Sequence, residues 1–201
     1  MKNILFLVGS LRRDSLNMRL ARVAAQNLPE GYQATFFDLK DVPMYNDDLR
    51  GEHSPEGVQR LREALRSTDG VFWTTPEYNF ALPGIVKNAI DWASRPLLPR
   101  HSFVGLPMNA AVATISATNG IRSLNDLKRI WSSCGGFTVT TFDFVLQLAP
   151  SKLVEESGFE TLEPVSLDKL RLAIGHFVRA VEGDVGAVVT ANWVAFVESQ
   201  P

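Results

Sequence analysis

Runs of apolar residues alternate with stretches in which apolar positions recur at helical spacing. "ILFLV" (4–8) reads as a buried strand. The segment starting at about residue 15 places Leu16, Leu20, Val23 and Ala24 on one face and reads as a helix. "QATFFDL" (33–39) is the second strand, and Val58, Leu61 and Leu65 align on a helix over 55–68. "GVFWTT" (70–75) is a third, continuously apolar strand. The next helix follows Pro83, a residue suited to a first turn, and places Val86, Ala89, Ile90 and Ala93 inward. "NAAVATIS" (109–116) is the fourth strand, Leu124, Leu127, Trp131 and Cys134 stripe the fourth helix, and 137–148 covers the fifth strand. Leu167, Leu170, Ile174, Phe177 and Val181 stripe the last helix.

Strand followed by helix, repeated along the chain, predicts an α/β fold. It is a doubly wound five-stranded parallel sheet with helices on both faces. Residues 1–183 form one domain, with no linker or internal repeat inside it, and 184–201 form a C-terminal extension. That tail is apolar and β-prone, and pattern alone does not place it. The polar connection 39–54 is long for a loop, which marks it as a candidate rim of a site.

Composition narrows the classes. Of 201 residues, 45% are hydrophobic and 21% charged, an ordinary globular balance. The net charge of −2 offers no bulk attraction to nucleic acid or an anionic membrane. The single cysteine, Cys134, excludes an intramolecular disulfide, and it sits on an apolar helix stripe as core. His53, His101 and His176 lack metal-ligand spacing, so no metal is expected. The apolar run at the N-terminus is shorter than the core of a secretion signal, and the expected location is cytoplasmic.

In open sheets of this kind ligands sit beyond the carboxyl ends of the strands. The first such loop is "GSLRRDSLN" (9–17). Gly9 permits a tight turn off the first strand, Ser10 and Ser15 offer hydroxyls, Asn17 an amide and Arg12 a forked cation. The free N–H groups of the helix that begins here also favour an anion. A terminal phosphate matches this set. A pyrophosphate does not, because the glycines that let backbone approach it are missing, and Asp38 after the second strand is a weak imitation of a ribose-binding acid. The plainer alternative is that Ser15 or Asp14 caps the helix and the arginines are solvated. That would leave Ser10, Arg12 and Asn17 unexplained as a group.

The loop after the third strand, "TTPEYNFALPG" (74–84), is richer in aromatics than a connection needs. The N–H groups of Glu77, Tyr78 and Asn79 and the Asn79 amide suit the carbonyls of a flat ring, and Tyr78 and Phe80 could wall it. Otherwise these aromatics are packing residues. A phosphate at one loop and a polar-edged ring at the other describe flavin mononucleotide.

"GSLRRDSLN" followed by "TPEYNFALPGIVKNAIDW" resembles the NAD(P)H-dependent FMN reductase family, the flavodoxin-like quinone, azo-dye and chromate reductases. The resemblance spans residues 2–182 in element order. It implies that Ser10, Arg12, Ser15 and Asn17 hold the FMN phosphate and that Pro76, Glu77, Tyr78 and Asn79 contact the isoalloxazine. Lys87, Asn88, Asp91 and Trp92 also match, in a mainly structural helix. After the fourth strand "TISATNGIR" keeps Gly120 and Arg122, with Ser116, but has Asn119 where the family has a glycine. The resemblance further implies NADPH or NADH as electron donor and a small-molecule acceptor. It also implies a homodimer or homotetramer, with Trp92 covering a loop or meeting a partner. No side chain is a candidate nucleophile, so the flavin carries the chemistry. The rival reading is a non-enzymatic flavodoxin-type electron carrier. A phospho-acceptor receiver lacks its acidic residues here, since Ser10 and Arg12 stand at the first place and Pro76 at the second.

Overall fold

The computed structural model describes residues 1–50, 54–95, 101–183 and 185–199. The elements are β1 (Lys2–Val8), α1 (Leu16–Gln26), β2 (Tyr32–Phe37), α2 (Glu56–Arg66), β3 (Gly70–Thr74), α3 (Gly84–Ala93), β4 (Pro107–Ala113), α4 (Ile121–Ser133), β5 (Phe137–Thr138), β6 (Phe144–Leu146), α5 (Ala149–Lys152), β7 (Leu153–Glu156), β8 (Phe159–Leu162), α6 (Pro164–Glu182) and α7 (Val185–Glu198). The sheet runs in the order β2-β1-β3-β4-β5, with β6 also paired to β4, and every pairing in it is parallel.

Alternation along the central strands sends side chains to two cores. Ile4, Phe6 and Val8 of β1, with Phe72 of β3, pack against α1 and α6. Leu5 and Leu7, with Val71 and Trp73, pack against α2, α3 and α4. The two-residue side-chain period of a strand forces this division, and burial on both faces is why these strands read as unbroken apolar runs.

One expectation changes, and two segments that the pattern did not place take form. The fifth strand is two short strands rather than one run over 137–148. Both lie along β4, and the chain between them holds Phe142 at φ 68°, a left-handed conformation that no strand continues through. A two-residue turn at Ser157 and Gly158, both at positive φ, joins β7 to β8 in an antiparallel hairpin that periodicity did not predict. The β-prone tail is a helix. α7 lies so close to the turn before β4 that a Cβ at Gly105 would stand 2.3 Å from the Gly186 carbonyl oxygen, and Thr190 Oγ1 donates to the Val104 carbonyl at 3.1 Å. A β-branched tail with backbone that close takes the conformation its contacts satisfy.

The connection 39–54 contains two single turns of 3-10 helix, Leu39–Asp41 and Asp47–Leu49, and its residues 51–53, His53 among them, lie outside the described residues. Its course is set from α3. Tyr45 N–H donates to Asn88 Oδ1 at 2.7 Å, and Asn88 Nδ2 and Trp92 Nε1 donate to the Pro43 carbonyl at 2.9 and 2.8 Å. Tyr45 meets Trp92 edge-on, centroids 4.9 Å apart. Trp92 therefore covers this loop. Lys87 and Asp91 form an ion pair one turn apart on the outer side of α3. Cys134 caps the C-terminus of α4, half-buried against the second core, and burial pushes its thiol pKa up.

Candidate active site

A cleft opens at the carboxyl ends of β1, β3 and β4. Ser10, Arg12, Ser15, Asn17, Pro76, Glu77 and Tyr78 line it together with Leu16, Ala113, Thr114 and Ile115. Seven residues chosen from two loops more than fifty positions apart thus share one wall, because parallel pairing of β1 with β3 brings both loops to the same sheet edge. Asn79, Ser116, Gly120 and Arg122 do not line it. In their place stand the last residue of β4, Ala113, and the two after it, Thr114 and Ile115, a contribution the sequence pattern put a few residues too late.

Loop one leaves the sheet at Gly9, whose N–H still donates to the Thr74 carbonyl at 2.8 Å. The glycine is required by crowding. A Cβ there would sit 2.6 Å from both Thr75 Oγ1 and Val86 Cγ2. Ser10 Oγ lies 3.4 Å from the Tyr78 hydroxyl and receives the Arg12 N–H at 3.4 Å, so its hydroxyl stands between the two loops. Ser15 is the N-cap of α1, accepting the Met18 N–H at 3.2 Å. The first turn of α1 carries no acid, which favours an anion at its remaining N–H groups. Arg12 is exposed, and among the described residues its guanidinium has no hydrogen-bond or ion-pair partner. Arg13 faces a separate groove with Asp14, Arg19, Arg22 and Glu160.

Asn17 is more committed than its loop position suggested. Its Nδ2 donates to the Ala113 carbonyl at 3.0 Å and its Oδ1 accepts the Ala113 N–H at 2.8 Å. The buried amide thereby stands in for a strand neighbour at the end of β4, where the edge would otherwise leave both backbone groups unpaired. One Nδ2 hydrogen remains for a ligand.

The loop after β3 is also rearranged relative to expectation. The Tyr78 N–H, expected to face a ring carbonyl, donates to the Ala81 carbonyl at 3.1 Å, and Ala81 N–H returns the bond at 3.1 Å. Between them Asn79 and Phe80 both have positive φ, 49° and 65°, as a two-residue reverse turn requires. A phenylalanine in that conformation is strained by roughly 1–2 kcal/mol. Its ring is exposed beneath the Arg122 guanidinium, 5.2 Å from the centroid.

Glu77 turns away from the cleft. Its carboxylate accepts the Gly120 N–H at 2.9 Å, the Arg122 N–H at 3.1 Å and Arg122 Nη1 at 3.1 Å. Burial pushes its pKa up, but those hydrogen bonds outweigh burial and hold it below the ordinary carboxylate range. The side chain therefore caps α4 rather than touching a ring, and the expected ring contact of Glu77 is left to its backbone N–H. Gly120, at φ 118°, begins α4, and Arg122 is the partner of Glu77. Ser116 Oγ accepts from the Thr118 and Asn119 N–H groups at 3.1 and 3.3 Å and shapes the turn leading to them. These three residues position the loop that frames the cleft.

The donor set suits a phosphate at one end and a flat ring at the other. A free cation, a helix whose first turn carries no acid and a cap serine lie at loop one. Pro76, Tyr78 and the exposed Ile115 line the same cleft, and the Glu77 N–H group has no partner among the described residues. Among the described residues no cluster of His, Cys, Asp and Glu could hold a metal, and no single helix is long and apolar enough to cross a membrane.

Comparison with known proteins agrees with this geometry. A family model described as NADPH-dependent FMN reductase matches residues 2–150. An NAD(P)H-dependent FMN reductase of Pseudomonas aeruginosa is 40% identical over 114 residues, which are 57% of this chain but only 60% of that protein. A quinone reductase of Escherichia coli K12 is 31% identical over 184 residues, covering 89% of this chain and 96% of that protein. Among solved structures, the flavoenzyme NAD(P)H:(acceptor) oxidoreductase FerB from Paracoccus denitrificans superposes with a TM-score of 0.82. It has 30% identity, and the match covers 90% of this chain and 98% of that one.

Proposed function

We propose, from the premise that this chain belongs to the NADPH-dependent FMN reductase family, that the cleft between loop one and the loop after β3 is its FMN site and that a quinone or similar small molecule is its acceptor. Bound FMN supplies a two-electron carrier, taking reducing equivalents from NAD(P)H and handing them to the acceptor. The chain's own residues bind and orient. Arg12, the Ser10 hydroxyl, the spare Asn17 hydrogen and the free N–H groups of α1 hold the phosphate, with Ser15 keeping the helix end in place. Pro76, Tyr78 and the Glu77 N–H group set the ring edge, and Glu77, Gly120, Arg122 and Ser116 brace the loops around it.

The single observation that carries this reading is the shared wall. Ser10, Arg12 and Asn17 line one cavity with Pro76, Glu77 and Tyr78. Among the described residues no acid–base pair of side chains lines that cavity to select acceptors by proton transfer, so acceptor choice rests on the shape of its rim. The connection 39–54 is a candidate part of that rim. The flavin domain is assigned to 1–183, with 184–201 as an extension, in a cytoplasmic protein without nucleic-acid or membrane partners. Exposed Phe80, Ile115 and Leu148 near the cleft support burial against a second copy, in a homodimer or homotetramer.

Anaerobic mixing of the FMN-loaded protein with NADPH or NADH, then with a quinone, tests the reaction. The flavin colour bleaches and then returns. Bleaching by dithionite but by neither nucleotide identifies an electron carrier instead.

A further inference from the structure

A second cavity adjoins the first across loop one. Ser10, Leu11, Arg12, Phe36, Asp38 and Lys40 line it over the carboxyl ends of β1 and β2, and Ser10 and Arg12 belong to both cavities. Its floor is apolar. Leu11 is 59% and Phe36 45% exposed there, and Phe36 is held flat on Phe6, centroids 5.1 Å apart. An aromatic ring fixed from behind and open in front is a surface for another flat ring. At the rim stand two cations, Arg12 and Lys40, and one acid, Asp38.

Asp38 is already engaged. One oxygen accepts the Lys40 N–H at 3.0 Å, capping the turn Leu39–Asp41, and the other lies 3.2 Å from Lys40 Nζ. In open sheets that bind dinucleotides, a free acid at the end of the second strand takes the ribose hydroxyls of NAD. Here that acid is tied to its own backbone and to a lysine. The pair is solvent-exposed, the two side chains 63% and 58% exposed, and the ammonium keeps two further hydrogens for a second anion while Asp38 stays engaged.

A flat apolar floor, a cationic rim and a wall shared with the FMN phosphate end together specify a ligand. We propose that this cavity takes the adenosine end of the dinucleotide donor, with the base on Phe36 and Leu11 and the 2′-phosphate on Lys40, so that the protein takes NADPH in preference to NADH. The inference rests on the reading of the neighbouring cleft as the FMN site. A donor laid across loop one from here enters that cleft over Ser10 and Arg12, which line both cavities.

Calorimetric titration of the FMN-loaded protein with 2′,5′-ADP and with 5′-ADP tests it. The 2′-phosphorylated nucleotide binds tighter by roughly tenfold or more, the scale of a hydrogen bond to a charged group. Lys40→Met brings the two nucleotides level and raises the ratio of KM for NADPH over NADH by a similar factor. Phe36→Leu weakens both nucleotides together. Equal affinities in the wild type, no binding of either, or an unchanged ratio in Lys40→Met would each overturn the proposal. Flavin absorbance of the same samples separates the two readings. Loss of discrimination with FMN retained refutes this site alone, whereas a protein that takes up no FMN refutes the cleft assignment.

Discussion

The carboxylate of Glu77, its side chain only 2% exposed, is held by both the backbone N–H and the guanidinium of Arg122, 45 residues further along the chain. The contact joins the loop after β3 to the start of α4. The same arginine reaches over Phe80, so the strained turn at 79–80 is clamped from one side chain. A residue quoted in a cofactor motif thus does its work through another loop.

Glu77→Gln should destabilise the fold by about 1–3 kcal/mol at neutral pH, because an amide N–H₂ replaces one acceptor oxygen facing the Gly120 and Arg122 donors and the charge on the other is lost. The pH dependence has a definite sign. A carboxyl whose pKa is lower when folded than its ordinary 4.5 contributes its stability above that value and loses it as pH falls through the folded value. The gap between wild type and variant should therefore narrow in denaturant titrations taken from pH 7 to pH 3. A gap independent of pH would mean that the carboxylate charge is irrelevant.

Arg12→Ala should weaken FMN binding by roughly 1.5–3 kcal/mol with little change in stability, since the side chain is exposed and unpartnered. Arg13→Ala should change it little, because Arg13 faces the groove beside Arg19 and Arg22. Titration of the two apoproteins with FMN distinguishes a directed contact from general attraction, which would give equal losses.

Asn17→Ala should lower both stability and FMN affinity. It leaves the buried Ala113 N–H and carbonyl without partners, at about 2–4 kcal/mol for the pair. Urea unfolding of the apoprotein reads the first effect and flavin titration the second. If affinity falls while stability does not, Asn17 is a ligand contact and its tie to Ala113 carries no weight.

Gly9→Ala should destabilise by about 1–3 kcal/mol, since the added methyl overlaps Thr75 and Val86 inside a packed core. Gly84→Ala is the control. It sits in the first turn of α3 with open space around it, and should be neutral or stabilising by about 0.4–1 kcal/mol. Urea midpoints of the two variants should move in opposite directions or leave Gly84→Ala unmoved.

Much of the fold is legible along the chain. β1, β3 and β4 are buried on both faces, so their apolar runs need no partner information to be recognised, and the helices between them show their inward stripes directly. Legibility fails where local preference and tertiary contact disagree. Residues 137–148 look like one strand, but the turn through Phe142 splits them. Val188, Val189 and Val194 favour a strand, yet the close approach at Gly105 and Gly186 seats that segment as a helix.

The site divides in the same way. Turn chemistry and helix-end chemistry are local, so Ser10, Arg12 and Ser15 could be picked out from neighbouring residues, as could an aromatic loop flanked by prolines. The direction in which a carboxylate or amide points is not local. Whether Glu77 faces a ligand or the N-terminus of α4, and whether Asn17 serves a phosphate or the end of β4, depends on which distant backbone groups arrive unpaired beside it. The amino-acid order by itself determined a doubly wound parallel sheet and the two loops at its carboxyl edge, because burial period and turn chemistry are written within a few residues. Only the folded chain decided which polar atoms in those loops remain free, because a buried donor or acceptor must find its partner wherever packing puts one.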